Sequence, residues 1–322
     1  MLRWQSKNEE LEDLCFAKLP QILTSNDVLV FNDTKVLRAR IFGEVNGHEV
    51  ELLLVNPLPI PGQWRCLGRP GKRLRKGAQV TIGAHIYGVV VEKVAGSKYV
   101  DVVFSHREVS GSANLVDALE LQQSGVMPIP PYIRGGRGDE QDERDYQSIF
   151  ARVGGSIAAP TASLHFSSHL CEELRKTGVI LESLTLHVGA ASFLPLTQSE
   201  TSEITPPGEE ELSCDEVVWQ RLMAYKRSGK RIIGVGTTVV RALETLAMNV
   251  QDGFSQKTSL FITPGFSFRV IDSLITNFHQ PDTTHLLLVE ALVGRAELAK
   301  MYSHALAGEY RFLSYGDGMF LE

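Results

Sequence analysis

Four short polar clusters carry most of the chemistry this chain offers. They are Asn32-Asp33-Thr34-Lys35, the run from Pro160 through Thr161 and His165 to Phe166, His187, and Asn277-Phe278-His279. Three of them directly follow apolar runs of strand character, Val28-Leu29-Val30-Phe31, Leu184-Thr185-Leu186 and Leu274-Ile275-Thr276. In open α/β sheets, ligands gather at the carboxyl ends of strands. Singly, each cluster reads as a cap or a turn; together they point to one shared pocket. Arg231-Ile232-Ile233-Gly234-Val235-Gly236-Thr237-Thr238 runs from a strand through a Gly-rich turn into a helix, whose first N–H groups can hold an anion. It lacks the third Gly of a dinucleotide fingerprint and the Lys of a P-loop, so a plain strand-to-helix turn stands beside the anion reading. His165 and His169, near Cys171, have a ligand-like spacing, but a third group at metal spacing is missing, so hydrogen-bonding histidines are favoured and no metal is expected. The chain has no G-x-S-x-G elbow, which argues against an ordinary hydrolase.

Elements must position these clusters, and the composition says how many domains supply them. With 322 residues, 43% of them hydrophobic, the chain fills the cores of two domains. No apolar run approaches membrane-spanning length and the first residues are polar, so a cytoplasmic protein is expected. Cys15, Cys66, Cys171 and Cys214 form no C-x-x-C pair and read as reduced thiols. The net charge of -6 is unevenly placed. Residues 52–91 contain no Asp or Glu but hold Arg65, Arg69, Lys72, Arg73, Arg75 and Lys76, which leaves -12 (26 basic minus 38 acidic) for the remainder. Such a stretch is either a solvated basic loop or a phosphate-binding surface.

Short β-rich runs at 39–42, 50–55, 79–82, 86–91 and 99–104, punctuated by Asn46-Gly47 and Gly96-Ser97, predict a small β-barrel that contains the basic loop. Beyond about residue 109 strands and helices alternate. Strands are expected at 179–186, 231–235, 260–262 and 274–276. Helices are expected after the capping signature Ser213-Cys214-Asp215-Glu216, at 238–248, and at 284–293 closed by Gly294. Residues 134–144, Gly-rich and charged, read as a mobile loop. The fold class is therefore α/β: a layered α/β domain from residues 1–36 and 110–322, with an inserted small β-barrel domain over 37–109.

The polar blocks together resemble the S-adenosylmethionine:tRNA ribosyltransferase-isomerases of queuosine biosynthesis. The resemblance runs through residues 28–43, 128–133, 146–147, 155–166, 184–190, 234–244, 274–279 and 310–317, in the family's order. It implies an α/β domain carrying a β-barrel. It also implies transfer and isomerisation of the ribosyl part of S-adenosylmethionine onto 7-aminomethyl-7-deazaguanine at the tRNA wobble position, giving epoxyqueuosine and releasing adenine and methionine. S-adenosylmethionine is then a consumed substrate, and the partner is tRNA carrying the precursor base. Such chemistry needs a base beside the sulfonium, a donor for the departing adenine and a neutral amine; His165, His187 and His279 are the groups able to exchange protons near neutrality. Substrate binding falls to Asn32, Asp33, Thr34, Lys35, Thr161, Phe166, Gly236, Thr237, Thr238, Arg241 and Asn277. Asp33 would meet a ribose hydroxyl or the methionine ammonium, and the Gly236 turn with Arg241 would meet the carboxylate. Arg65, Arg69, Lys72, Arg73, Arg75 and Lys76 would bind tRNA phosphates.

Some positions depart from the family pattern. Members usually carry a further segment ahead of the Val28 block, which 27 residues precede here. Ile204 and Pro207 stand where a His-x-x-His-Ser-Glu pattern has histidines, while Glu209 keeps the acid. Gly189-Ala190-Ala191-Ser192-Phe193 replaces Gly-Ala-Gly-Thr-Phe, and Asp282 follows Pro281 where Lys is common. A second reading is a diverged, non-catalytic paralogue that binds RNA or S-adenosylmethionine; adenine release separates the two.

Overall fold

A computed structural model of the chain describes residues 1–107, 115–189 and 208–322. The strands in chain order begin with β1 (Leu2–Gln5), β2 (Glu10–Asp13), β3 (Asp27–Asn32) and β4 (Thr34–Val36). Next come β5 (Arg40–Val45), β6 (His48–Pro57), β7 (Gln63–Arg69), β8 (Gln79–Ile82), β9 (Ile86–Lys93) and β10 (Tyr99–His106). The last are β11 (Val153–Ser156), β12 (Ile180–Leu186), β13 (Glu210–Ser213), β14 (Arg231–Val235), β15 (Ser255–Thr258), β16 (Ser273–Asn277) and β17 (Gly318–Leu321). The helices are α1 (Leu19–Ile22), α2 (Ala118–Gln123), α3 (Asp142–Asp145), α4 (Ser168–Lys176), α5 (Glu216–Arg227), α6 (Thr237–Asn249), α7 (Thr284–Val293) and α8 (Arg295–Ala307).

Two units form. The first joins Met1–Lys35 to Gln147–Glu322 and is built on a sheet that, among the described residues, has the order β15-β13-β12-β3-β14-β16-β17-β1-β2. Its central strands β12, β3, β14 and β16 are mutually parallel. All six residues of β3 and all five of β16 are buried, as parallel strands covered on both faces require. On one face Leu29, Phe31, Ile233, Val235 and Ile275 pack with Phe166, Leu170 and Leu174. Each such side chain taken from water contributes about 1.5–3 kcal/mol. The chain passes from β3 to β12 on one flank and returns to β14 on the other, so the crevice at the carboxyl end of β3 is a topological switch point.

The second unit, Val36–Tyr146, contains a closed barrel of order β10-β7-β6-β5-β8-β9 with antiparallel neighbours. Asn46 and Gly47, at φ 52° and 73°, make the β5–β6 turn that the Asn-Gly pair signals. The unit extends beyond residue 109, because Leu115 bridges to Ser105 and Val126 to Arg40, which ties the following segment to the barrel.

Four details differ from the sequence reading. Residues 260–262 form no strand: β15 ends at Thr258, whose Oγ1 takes the Leu260 N–H, and Arg241 takes the Leu260 carbonyl, so side chains replace ladder partners. The cap of α5 is Asp215, which accepts from Val217 N–H, because Ser213 still belongs to β13. β7, unforeseen, completes the barrel. Residues 134–144 hold a 3-10 turn and the start of α3, pinned where buried Asp142 accepts from Arg134 and from Asp139 N–H. Among the described residues no helix is long and apolar enough to cross a membrane.

Candidate functional site

Because β12, β3, β14 and β16 are parallel neighbours, the segments that leave their carboxyl ends share one edge. His187 follows β12, Asn32 closes β3, Gly236 follows β14, and Asn277 closes β16 with His279 two residues on. Neighbouring strands lie about 4.8 Å apart, so the three steps from β12 to β16 span roughly 14 Å. A single small group cannot meet both ends of that edge; an extended ligand can.

Asn32 fastens the centre. Its Oδ1 accepts the N–H groups of Thr34 and Leu186, both at 3.1 Å, and its Nδ2 donates to Leu186 O at 2.8 Å and to Thr238 Oγ1 at 3.3 Å. Its bonds thus join the ends of β3, β12 and α6. Asp33, expected to bind substrate, is buried and committed internally: Oδ1 accepts from Thr185 Oγ1 at 2.6 Å, and Oδ2 from Arg152 at 2.7 Å and Ser183 at 3.4 Å. Thr34 is also buried, with Oγ1 at 2.7 Å from both Ser156 Oγ and His187 Nδ1. Lys35 is exposed and makes no ion pair among the described residues.

At the other end Thr161 donates to Asn277 Oδ1 at 2.9 Å, while Asn277 Nδ2 donates to Leu313 O and to His165 Nε2, each at 3.2 Å. The Leu313 carbonyl fixes which way the amide points, so His165 Nε2 accepts and its proton sits on Nδ1. The His165 ring stacks on Phe16 with centroids 4.8 Å apart. Phe166, expected to touch substrate, instead meets Phe16 and Phe31 edge-on inside the core. His169 belongs to α4, across the cap residue Ser167 from the 3-10 turn that carries His165, so the two share no face. No group of three metal-ligating side chains occurs among the described residues.

His279 is held by its backbone. Its N–H donates to the Tyr302 hydroxyl at 2.9 Å, and that hydroxyl donates to its carbonyl at 3.0 Å. Its Nε2 lies 3.0 Å from Thr276 Oγ1, and its ring stacks on His285, 5.2 Å away. Burial lowers the pKa of His165 and His187 and takes that of His279 well below the ordinary imidazole value. His285 is pushed down to about 4 by burial and by the Arg241 guanidinium. These rings are neutral at pH 7. No pattern marked His285, which lies in a largely apolar helix.

At the start of α6, Gly236 has φ 96° and no side chain caps the helix, so the first turn keeps its anion-binding character. Arg241, one turn on, is not a free cation: it pairs with buried Glu210, whose other oxygen accepts Gly189 N–H at 3.1 Å. The segment that would follow, including Ile204 and Pro207, lies outside the described residues.

A family model described as queuosine biosynthesis protein matches residues 1–321. The chain belongs to the queuosine biosynthesis protein family. The S-adenosylmethionine:tRNA ribosyltransferase-isomerase of Novosphingobium aromaticivorans is 42% identical over 312 residues, covering 96% of this chain and 88% of the relative. The enzyme of the same name from Caulobacter vibrioides is 40% identical over 335 residues, covering 97% and 89%. The crystal structure of S-adenosylmethionine tRNA ribosyltransferase from Thermotoga maritima matches with a TM-score of 0.52 and 28% identity, covering all of this chain and 91% of that one. The family and the mixed α/β fold with its barrel thus agree with the resemblance carried by the polar blocks.

In the barrel unit of this family member the basic stretch is not uniform. Arg65 lies on β7 opposite Asp101 on β10 and makes two bonds to its buried carboxylate, both 2.9 Å, so its charge is already answered. Arg75 folds back onto the Lys72 carbonyl, and Lys72 and Lys76 remain exposed. A cavity of about 290 Å³ is lined by Arg69, Lys93, Ser97 and Lys98 with Gly68, Gly71 and Val100, and by no carboxylate. Lys93 and Lys98 fell outside the acid-free stretch of sequence; the β9–β10 hairpin brings them to Arg69.

Proposed function

We propose that this chain transfers and isomerises the ribosyl moiety of S-adenosylmethionine onto 7-aminomethyl-7-deazaguanine at the wobble position of tRNA, giving epoxyqueuosine-tRNA with release of adenine and methionine. The observation that carries the reading is the common carboxyl edge of four parallel strands, to which the family's polar blocks contribute neutral histidines, amides and hydroxyls. An extended adenosyl-sulfonium substrate matches an edge of about 14 Å better than a compact one would. Neutral imidazoles suit a reaction that removes a proton beside a sulfonium and supplies a hydrogen bond to a departing base. The uncapped first turn of α6, with Thr237 and Thr238, receives the carboxylate of the methionine portion. Arg241 orders the neighbouring backbone instead of binding that carboxylate. In the barrel unit Arg69, Lys72, Arg73, Arg75 and Lys76 engage tRNA phosphates, joined by Lys93 and Lys98. S-adenosylmethionine is consumed and no metal takes part, and the reaction belongs to the cytoplasm.

The test is to incubate the protein with S-adenosylmethionine and tRNA bearing the precursor base and to follow free adenine. Adenine release that requires this tRNA supports the proposal. Binding of both ligands without adenine would replace it with the non-catalytic reading.

A further inference from the structure

The hydrogen-bond chain behind His187 has a direction, and that direction decides what the imidazole can do. Val188 N–H donates to Ser156 Oγ at 2.8 Å, Ser156 Oγ lies 2.7 Å from Thr34 Oγ1, and Thr34 Oγ1 lies 2.7 Å from His187 Nδ1. Ser156 and Thr34 are both fully buried. Each hydroxyl owns a single hydrogen. If Thr34 gave its hydrogen to Ser156, the hydrogen of Ser156 would have no acceptor among the described residues. If instead His187 carried a proton on Nδ1 and donated it, one of the two hydroxyl hydrogens would again be stranded. Leaving a buried donor unmatched is disfavoured by about 1–3 kcal/mol. One arrangement strands nothing: Ser156 donates to Thr34, and Thr34 donates to Nδ1. A nitrogen that accepts bears no proton, so the ring hydrogen is on Nε2. That nitrogen makes no hydrogen bond among the described residues.

We propose that Ser156 and Thr34 are positioning residues that hold His187 as its Nε2–H tautomer, so that it serves the site as a neutral hydrogen-bond donor and not as the base. The tautomer stands on geometry alone; the group it donates to, a nitrogen of the departing adenine, rests on the ribosyl-transfer reading. Asp33 and Glu211 are the charged groups that act on this imidazole and favour its protonation, but burial outweighs them and keeps it neutral. Gly155 completes the seat: a Cβ built there would fall 2.5–2.7 Å from three atoms of the ring, so the ring lies flat against bare backbone.

The decisive experiment is a long-range proton–nitrogen correlation spectrum of the full-length protein, 15N-labelled in its histidines, at pH 7.5, with the His187 signals assigned by their loss in His187→Gln. The expected spectrum has an unprotonated Nδ1 and a protonated Nε2. Thr34→Val, which keeps the shape and removes the hydroxyl, lets the two tautomers mix, and Thr34→Ser restores the wild-type pattern. For adenine release, Thr34→Val lowers kcat about tenfold with the KM for S-adenosylmethionine unchanged. His187→Gln, still a neutral donor, outperforms His187→Ala by a similar factor. A protonated Nδ1 in the wild-type spectrum overturns the proposal whether or not any variant folds, and equal activity of the Gln and Ala variants overturns the donor role. Absence of adenine release from the wild type would instead remove the ribosyl-transfer reading and leave the spectrum to decide the tautomer.

Discussion

Replacing Gly155 with alanine tests the site at its narrowest point. The added methyl carbon would sit 2.5 Å from Cε1 and 2.6 Å from Nδ1 of His187, whereas unbonded carbons rest about 3.5–4.0 Å apart. The imidazole must therefore retreat by about 1 Å. Because the ring lies flat against that backbone, it retreats across its own plane, which carries Nδ1 out of line with the Thr34 hydroxyl and bends the 2.7 Å bond between them. Overpacking of this kind destabilises by about 1–3 kcal/mol. A displacement of 1 Å in a reacting group lowers turnover by about a hundredfold. The expected Gly155→Ala protein is thus folded, melts several degrees lower, and releases adenine about a hundredfold more slowly. Chromatographic assay of adenine, paired with thermal unfolding, measures both effects. Wild-type turnover with an unmoved His187 resonance would refute the reasoning, because it would mean that this backbone does not set the position of the ring.

Other outcomes follow from the partners each charge has found. Glu210→Ala leaves the half-buried Arg241 without its counter-ion, and urea unfolding should register a loss of about 3 kcal/mol; the double variant Glu210→Leu, Arg241→Met should recover most of it. Arg65→Ala should cost about 1–3 kcal/mol by stranding Asp101 while leaving the salt dependence of tRNA binding nearly unchanged. Lys72→Ala or Lys76→Ala should instead reduce the slope of log K against log salt by about 0.7–0.9, read by filter binding. The pH dependence has a definite sign. His285 has a folded pKa of about 4 against an ordinary value of 6.5, so its neutral burial is harmless above pH 6.5 and opposes folding progressively as pH falls from there towards 4. Its contribution is about 2 kcal/mol after allowance for partial exposure, and melting curves of His285→Leu should lose less stability than wild type between pH 6.5 and 4.5.

Much of the frame was legible because it is written in local pattern. The apolar runs ending at Phe31, Leu186 and Val235 behave as parallel strands, Asn46-Gly47 makes a hairpin, and Gly294 ends α7, since each signal acts through nearest neighbours. What sequence could not supply was who answers each charge. Asp33 meets Arg152, 119 residues away, Arg241 meets Glu210, and Arg65 meets Asp101 through a cross-strand register that no composition reveals. Each of these groups looks like a ligand-binding residue until its partner is seen. β7 was hidden because it runs directly into the basic loop and ends in Arg69, so charge masked its alternation. The misplaced strand at 260–262 failed for the opposite reason, since an apolar triplet was satisfied by side-chain hydrogen bonds.

The insertion of the barrel unit between β3 and β12 has a consequence for how the chain is assembled. The central pairing of the sheet joins β3 to β12 and β14, and bonds across it span 154 and 204 residues. Such long-range closure is slow, because entropy is lost before the contacts that reward it appear. The barrel unit is contiguous in sequence, is the first of the two units to be complete and can fold while β12 and β14 are still unsynthesised. Once folded, it shortens the free chain between β3 and its partners, so the last step is a docking of strands rather than a search by the whole polypeptide. The edge that carries the histidines therefore matures late, and weakening the barrel should first be felt as a lower yield of native protein.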